Sequence, residues 1–186
     1  MRKNFGVKPM VYPMPVFIIG TYDENGVPNA MNAAWGGISE ENEISICISA
    51  DHKTTYNLLK KGAFTVSMAT ADYVKECDYV GIVSGNDVED KLTRCGLHTV
   101  KSEFVDAPVI VELPMAVECR LKSYDPDSCR LVGEIVNVSC DEEMLTGGRI
   151  DPAKLRPITY DSANHTYRVV GEVVGKAYSD GLVFKK

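Results

Sequence analysis

The chain has 186 residues, of which 45% are hydrophobic and 25% charged, and its formal net charge is −6. That length supports one well-buried core and is short for two, so one domain over residues 1–186 is expected. Scattered acidic residues exclude the basic face that nucleic acid requires, and no apolar run approaches the roughly 20 residues of a bilayer span. The amino terminus lacks the apolar stretch of a signal peptide. Six single cysteines without a C-x-x-C pair read as reduced thiols, with no metal-ligand spacing. A cytoplasmic protein without a membrane or nucleic-acid partner, a metal or a structural disulfide is expected.

The segment "VFIIGTY" (16–22) reads as a strand, and Asn25-Gly26 after it is a strong hairpin turn, so the next segment should pair with it antiparallel. That segment, "PNAMNAAWGG" (28–37), is bare for a strand: two asparagines, three alanines and the chain's one tryptophan. Extended, it places Asn29, Met31, Ala33 and Trp35 on one face and Ala30, Asn32, Ala34 and Gly36 on a nearly flat opposite face. A flat strand lets a planar ligand lie close to peptide groups, with the asparagine amides reading its edge. The same bareness also suits close packing by a bulky neighbour, and the stretch alone names no ligand.

"EISICISA" (43–50) and "AFTVSMA" (63–69) read as further strands. The intervening "DHKTTYNLLKKG" predicts a helix capped by Thr54 or Thr55, with Tyr56, Leu58 and Leu59 as its apolar side and Gly62 as its stop. The unpaired N–H groups of such a start favour an anion, and Lys53 with the Thr54 and Thr55 hydroxyls would complete a phosphate seat, weakened by Asp51. The plainer reading is a helix cap beside a solvated lysine.

"ADYVKECDYVGIV" (71–83) predicts a second helix, ended by Ser84-Gly85-Asn86, and Lys91 in "SGNDVEDK" reads as a mobile cation. Strands follow at 109–113, 115–124, 129–140 and 166–178, the middle pair joined by "YDPDS". At least six strands, two short helices and no β-α-β alternation predict a mainly β (α+β) fold, an antiparallel barrel or sandwich with short flanking helices. A planar-ring site and a phosphate site one strand apart are what flavin mononucleotide (FMN) needs, and a cation such as Lys91 would stabilise its anionic reduced ring.

In order and spacing, "PVFIIGTYDENGVPNAMNAAWGGI", "TYNLLKKGAFTVSMAT", "GIVSGNDVEDK", "GLHTVKSEFVDAPVIVELPMAVEC", "LVGEIVNV" and "RPITYD" with "YRVVGEVVG" resemble the flavoredoxin group of the flavin reductase-like family. The resemblance covers nearly the whole chain. It implies an FMN-binding split β-barrel and a homodimer with non-covalent FMN near the subunit interface. Residues Asn29, Ala30, Met31, Asn32, Ala33, Ala34 and Trp35 would then line the isoalloxazine ring. Ser49, Ala50, Asp51, Lys53, Thr54 and Thr55 would wrap the ribityl phosphate, Ser84, Gly85 and Lys91 would approach the ring from their loop, and Tyr160 in "PITYD" would stand near the flavin.

One departure stands out: related sequences often carry "GDH" before the "LVGEIV" strand, where this chain reads "PDSCR", so Cys129 or Arg130 replaces that histidine. His98 is a poor substitute, since a lone histidine is more often surface or packing. No motif contains a nucleophile-base pair, so no catalytic residue is assigned. The expected activity is FMN-dependent electron transfer from NAD(P)H, acting transiently, or from a redox protein to flavin, ferric or other small acceptors. A carrier that oxidises no nicotinamide and a non-catalytic FMN or planar-metabolite binding module are the rivals. The lack of a G-x-G-x-x-G fingerprint mildly favours the carrier over the reductase.

Overall fold

The computed structural model describes residues 1–185. In chain order it places β1 at Met14–Pro15, β2 at Phe17–Tyr22, β3 at Pro28–Ala33, β4 at Gly36–Glu40, β5 at Glu43–Cys47, α1 at Lys53–Lys61 and β6 at Ala63–Met68. Then come α2 (Val74–Ile82), α3 (Lys91–Arg94), β7 (Thr99–Lys101), β8 (Pro108–Ile110), β9 (Met115–Asp125) and β10 (Arg130–Cys140). Next are the short pair β11 (Leu145–Thr146) and β12 (Arg149–Ile150), α4 (Pro152–Leu155), the hairpin β13 (Ile158–Asp161) with β14 (Thr166–Val169), and a 3-10 turn at Asp180–Phe184.

Seven strands form one antiparallel sheet in the order β3-β2-β6-β9-β10-β5-β4. Its two edge strands, β3 and β4, are consecutive in the chain and separated only by Ala34 and Trp35. Three Cα steps reach about 11 Å at most, so the two edges must come together there and the sheet curls into a half-closed barrel. The split antiparallel barrel expected from the sequence is therefore the fold. A second, three-stranded sheet, β1-β13-β14, carries the late hairpin.

Both faces of the sheet are covered, which is why "FIIGTY" reads as a continuous apolar run. Phe17 and Ile19 join Ile44, Ile46, Leu58, Phe64, Val66 and Leu131 in one core, while Ile18 packs with Ala30, Cys77, Val80 and Ile110 in another. Close approach is bought with glycine at Gly133, where a Cβ would stand 2.3 Å from Phe64 Cζ.

Three sequence expectations change at this level. The bare segment 28–37 is two strands, because the chain must leave one sheet edge and reach the other at Ala34-Trp35. The expected strand 166–178 stops at Val169. Helix α1 buries Thr54, Thr55, Asn57 and Leu58, whereas Tyr56 and Leu59 are half exposed, so its inward face is largely polar.

Candidate functional site

Helix α1 begins one residue before the expected threonines. His52 is its N-cap, with no side-chain capping bond, and the first intrahelical bond runs from Tyr56 N–H to the His52 carbonyl at 3.1 Å. Neither Thr54 nor Thr55 is the cap; both lie in the first turn and face inward, which corrects that expectation. The N–H groups of Lys53, Thr54 and Thr55 are left without an intrahelical carbonyl, and no acidic residue lies in that turn. Asn29 Nδ2 donates to Thr54 Oγ1 at 2.8 Å, and Thr55 Oγ1 donates to the Ser49 carbonyl at 2.6 Å. The Thr55 hydroxyl proton is thus committed inside the protein.

The loop after α2 closes onto this corner. Asn86 Nδ2 donates to the Asp51 carbonyl at 3.2 Å, and a Cβ on Gly85 would stand 2.3 Å from Asn29 Oδ1 and 3.2 Å from Lys53 Cγ. Only glycine allows that loop so near. Asn29, Lys53 and Gly85, from three separate stretches of sequence, therefore meet. Beside them is a cleft of about 480 Å³ lined by Asp23, Glu24, Asn25, Ala50, Asp51, His52, Lys53, Tyr56 and Asn86. Lys53 Nζ lies 3.9 Å from Asp23 Oδ2, and Asp23 Oδ1 already accepts from the N–H groups of Asn25 and Val27. A helix start with free N–H groups and a lysine fits an anionic phosphate; the carboxylates around it offset part of that attraction.

Lys91 is not the mobile cation the sequence suggested. Its side chain is 2% exposed, and Nζ donates to the carbonyls of Val80 at 3.2 Å and Val83 at 2.9 Å, at the C-terminal end of α2. Burial lowers its pKa to about 8. It anchors the helix end that leads into Ser84-Gly85.

Along β3 the two faces alternate as expected. Met31 and Ala33 pack into the barrel core, whereas Ala30 is fully buried against Cys77 and Val80 of α2. Asn32 Nδ2 donates to the Cys77 carbonyl at 3.1 Å, and a Cβ on Gly81 would approach Asn32 Cβ to 2.8 Å. The small residues of this face thus partly serve close packing by α2, and the face is open only at its far end. There a cleft of about 510 Å³ is lined by Asn32, Ala34, Asp78, Gly81, Ile82, Tyr160, His165 and Tyr167. Ala34 is shared with a third, more apolar cleft of about 550 Å³ between residues 8–15 and Trp35, Gly36, Ser45 and Cys47. Trp35 is 57% exposed at that boundary.

Of the predicted residues, Asn32, Ala34 and Tyr160 line the second cleft, Trp35 the third, and Ala50, Asp51 and Lys53 the first, with Asn29, Thr54 and Gly85 in the wall behind Lys53. Ser49 and Ser84 are exposed nearby, while Ala30, Met31 and Ala33 turn their side chains into packing. The sequence reading missed Asn86, Asp78, His165 and Tyr167. The repeat of a Thr-Tyr pair on either side of "DSANH" was the available signal for the last two, since a hairpin there sets Tyr160 opposite Tyr167. Of Cys129 and Arg130, the two residues expected in place of the histidine, Arg130 donates from Nε to Ser45 Oγ at 3.0 Å and sits opposite Cys47, at the margin of the third cleft. His98 is a surface residue whose Nδ1 lies 2.6 Å from Glu112 Oε1.

Comparison with known proteins places these features in context. A family model described as a flavin reductase like domain matches residues 10–174. The flavoredoxin of Desulfovibrio vulgaris (Miyazaki F) is 38% identical, with 97% of this chain and 100% of that one covered and a TM-score of 0.93. A flavoredoxin from Methanosarcina acetivorans is 26% identical, covering 99% and 98% of the two chains, with a TM-score of 0.87. Nitrilotriacetate monooxygenase component B from Bacillus cereus shares the fold at 21% identity, covering 95% and 100%, with a TM-score of 0.78. The chain, with its curled split barrel and the clefts strung along β3, belongs to the flavin reductase-like family and is of flavoredoxin type.

Proposed function

We propose that the chain binds FMN non-covalently along β3 and acts as a flavoredoxin-type oxidoreductase or electron-transfer protein. The observation that carries this reading is the layout of β3. One end, Asn29, touches the helix-start corner of Lys53, Thr54 and Gly85, and the other, Asn32 and Ala34, walls the cleft that Tyr160 closes. Three residues of strand span about 10 Å, the scale of the ribityl linker between a phosphate and a tricyclic ring. Among the described residues the edge of β3 away from β2 has no strand partner, so its peptide groups remain for the rim of a planar ligand.

Lys53 and the free N–H groups of α1 would hold the phosphate, with Asn29 and Asn86 fixing the loop and helix start around it. Asn32, Ala34, Trp35 and Tyr160 would border the ring. A bound flavin supplies one- or two-electron exchange, and the protein's part is to position it, exclude water on the α2 side and leave access through the third cleft. Electrons would come from NAD(P)H stacked transiently or from a redox protein, and pass to flavin, ferric or other small acceptors. Among the described residues no helix is long and apolar enough to cross a membrane; a cytoplasmic location is part of the proposal.

A homodimer is part of the proposal. The C-terminal segment leaves Val173, Val174, Tyr178, Val183 and Phe184 between 77% and 101% exposed, a run of apolar side chains that a second copy would cover.

The test is fluorescence titration of apo-protein with FMN, then stopped-flow mixing of the loaded protein with NADH or NADPH. Saturable binding of one FMN per chain is expected, and no binding would overturn the proposal. Bleaching faster than that of free FMN marks a reductase; its absence, with bleaching by dithionite intact, marks a carrier.

A further inference from the structure

The cleft at the open end of β3 holds two tyrosines in different chemical states. Tyr160 and Tyr167 face each other across the β13–β14 hairpin, with ring centroids 6.0 Å apart at 50°. Tyr167 Oη donates to Asp78 Oδ1 at 2.7 Å, and burial together with that carboxylate pushes its pKa well up. Its proton is locked. Tyr160 Oη instead lies 3.0 Å from His165 Nδ1, and His165 is exposed to solvent. An imidazole nitrogen can donate or accept, so the Tyr160 proton has a route outward.

His165 is held for this contact at some conformational cost. Its φ of 53° lies in the left-handed region that non-glycine residues rarely adopt. The turn that imposes it is fixed by Asp161, whose carboxylate accepts from Tyr12 Oη, Arg168 Nε, Asn164 Nδ2 and the N–H groups of Ala163 and Asn164. The titratable groups lining the cleft with the pair are Asp78 from α2 and Tyr167 from β14, already bonded to each other; Asp161, Arg168 and Tyr12 lie behind the turn.

We propose that Tyr160 and His165 form a proton relay for a planar acceptor that carries a carbonyl oxygen beside its reducible carbon. The inference rests on the FMN reading for its electrons. With reduced FMN bound, the hydride needed at the carbonyl carbon would come from the flavin, which would be oxidised; as the C=O π bond breaks, Tyr160 Oη gives its hydroxyl proton to the carbonyl oxygen, and the product is the alcohol. Imidazolium at His165 returns a proton to Tyr160 Oη, and neutral imidazole is reprotonated by water. Tyr160 touches the acceptor and is the catalytic residue; His165 acts through it.

The test pairs NMR titration of the His165 ring with pH profiles of carbonyl reduction, using benzaldehyde as probe acceptor and benzyl alcohol as product, in wild type, Tyr160→Phe and His165→Gln. The expected wild-type profile has a limb at the pH where His165 titrates. His165→Gln keeps a polar partner without a titrating proton, so the limb vanishes and kcat falls about 10- to 100-fold. Tyr160→Phe lowers kcat about 100-fold or more and moves the His165 titration. Retention of the wild-type limb in His165→Gln, or a His165 titration indifferent to Tyr160→Phe, overturns the relay. Failure of the FMN reading would show separately, as a wild-type protein that takes up no FMN; the NMR arm then decides on the apo chain whether the two groups are coupled.

Discussion

Replacing Lys91 by Met probes how the loop of the site is held. The wild-type amine is buried and donates to the Val80 and Val83 carbonyls, and burial takes its pKa from an ordinary 10.5 to about 8. At about 1.4 kcal/mol per pH unit, keeping this amine charged at neutral pH costs the fold about 3 kcal/mol. Against that, Met leaves two carbonyls at the end of α2 without a donor, at about 1–3 kcal/mol each. The opposing effects are similar in size, so stability at one pH decides little; its slope with pH decides. Because the folded state holds the Lys91 proton more weakly than the unfolded chain does, unfolding takes up protons between about pH 8 and about 10.5, and stability rises with pH across that window. Urea unfolding of both proteins should show wild type gaining about 2 kcal/mol relative to Lys91→Met between about pH 7.5 and about pH 9.5. Parallel pH dependences would refute the buried, carbonyl-bound amine, and would return Lys91 to the surface role its sequence context suggested.

Lys53→Ala should raise the FMN dissociation constant about 10- to 100-fold with little change in unfolding midpoint, since it removes the cation at the helix start and no core packing; fluorescence titration reads it. In Gly85→Ala the new Cβ would stand 2.3 Å from Asn29 Oδ1, forcing the loop off Asn29 and Lys53, and FMN affinity should drop about tenfold in the same assay. Gly133→Ala sets a Cβ 2.3 Å from Phe64 Cζ in the barrel core, and urea unfolding should register a loss of about 1–3 kcal/mol. The hydrogen bonds from Tyr12, Asn164 and Arg168 hold the Asp161 carboxyl well below the usual carboxylate range, so its contribution is complete at neutral pH and is lost as pH falls through and below that range. Asp161→Asn should therefore flatten the acid limb of thermal unfolding.

Much of the barrel was legible because its determinants are local. The Asn25-Gly26 turn sets β2 against β3, alternation in "FIIGTY" sends Phe17 and Ile19 to one core and Ile18 to the other, and Gly62 stops α1 in a left-handed conformation at φ 67°. The break at Ala34-Trp35 was not legible. It exists because β3 and β4 end at opposite edges of a sheet whose closure depends on β9 and β10, about 80 to 100 residues further on, and no local pattern encodes that distance. Thr54 and Thr55 misled for a related reason. Threonines before an apolar run usually cap a helix, yet here the Asn29 amide and the Ser49 carbonyl draw both into the interior.

The clefts show where sequence and tertiary structure divide the work. Bareness of β3 predicted room, and part of that room goes to α2, whose Gly81 and Cys77 press on Asn32. That packing is what makes the remainder useful. A helix held against the strand by Val80 and clamped at its end by Lys91 delivers Ser84-Gly85 to the Lys53 corner and Asp78 to the Tyr167 hydroxyl, fixing both ends of β3 from one element. A change confined to α2 should therefore be felt at the Lys53 corner and at the tyrosine cleft together, although β3 runs for about 10 Å between them. Loosening by Lys91→Met that weakened FMN binding while leaving the His165 titration untouched would show that the two ends are instead held independently.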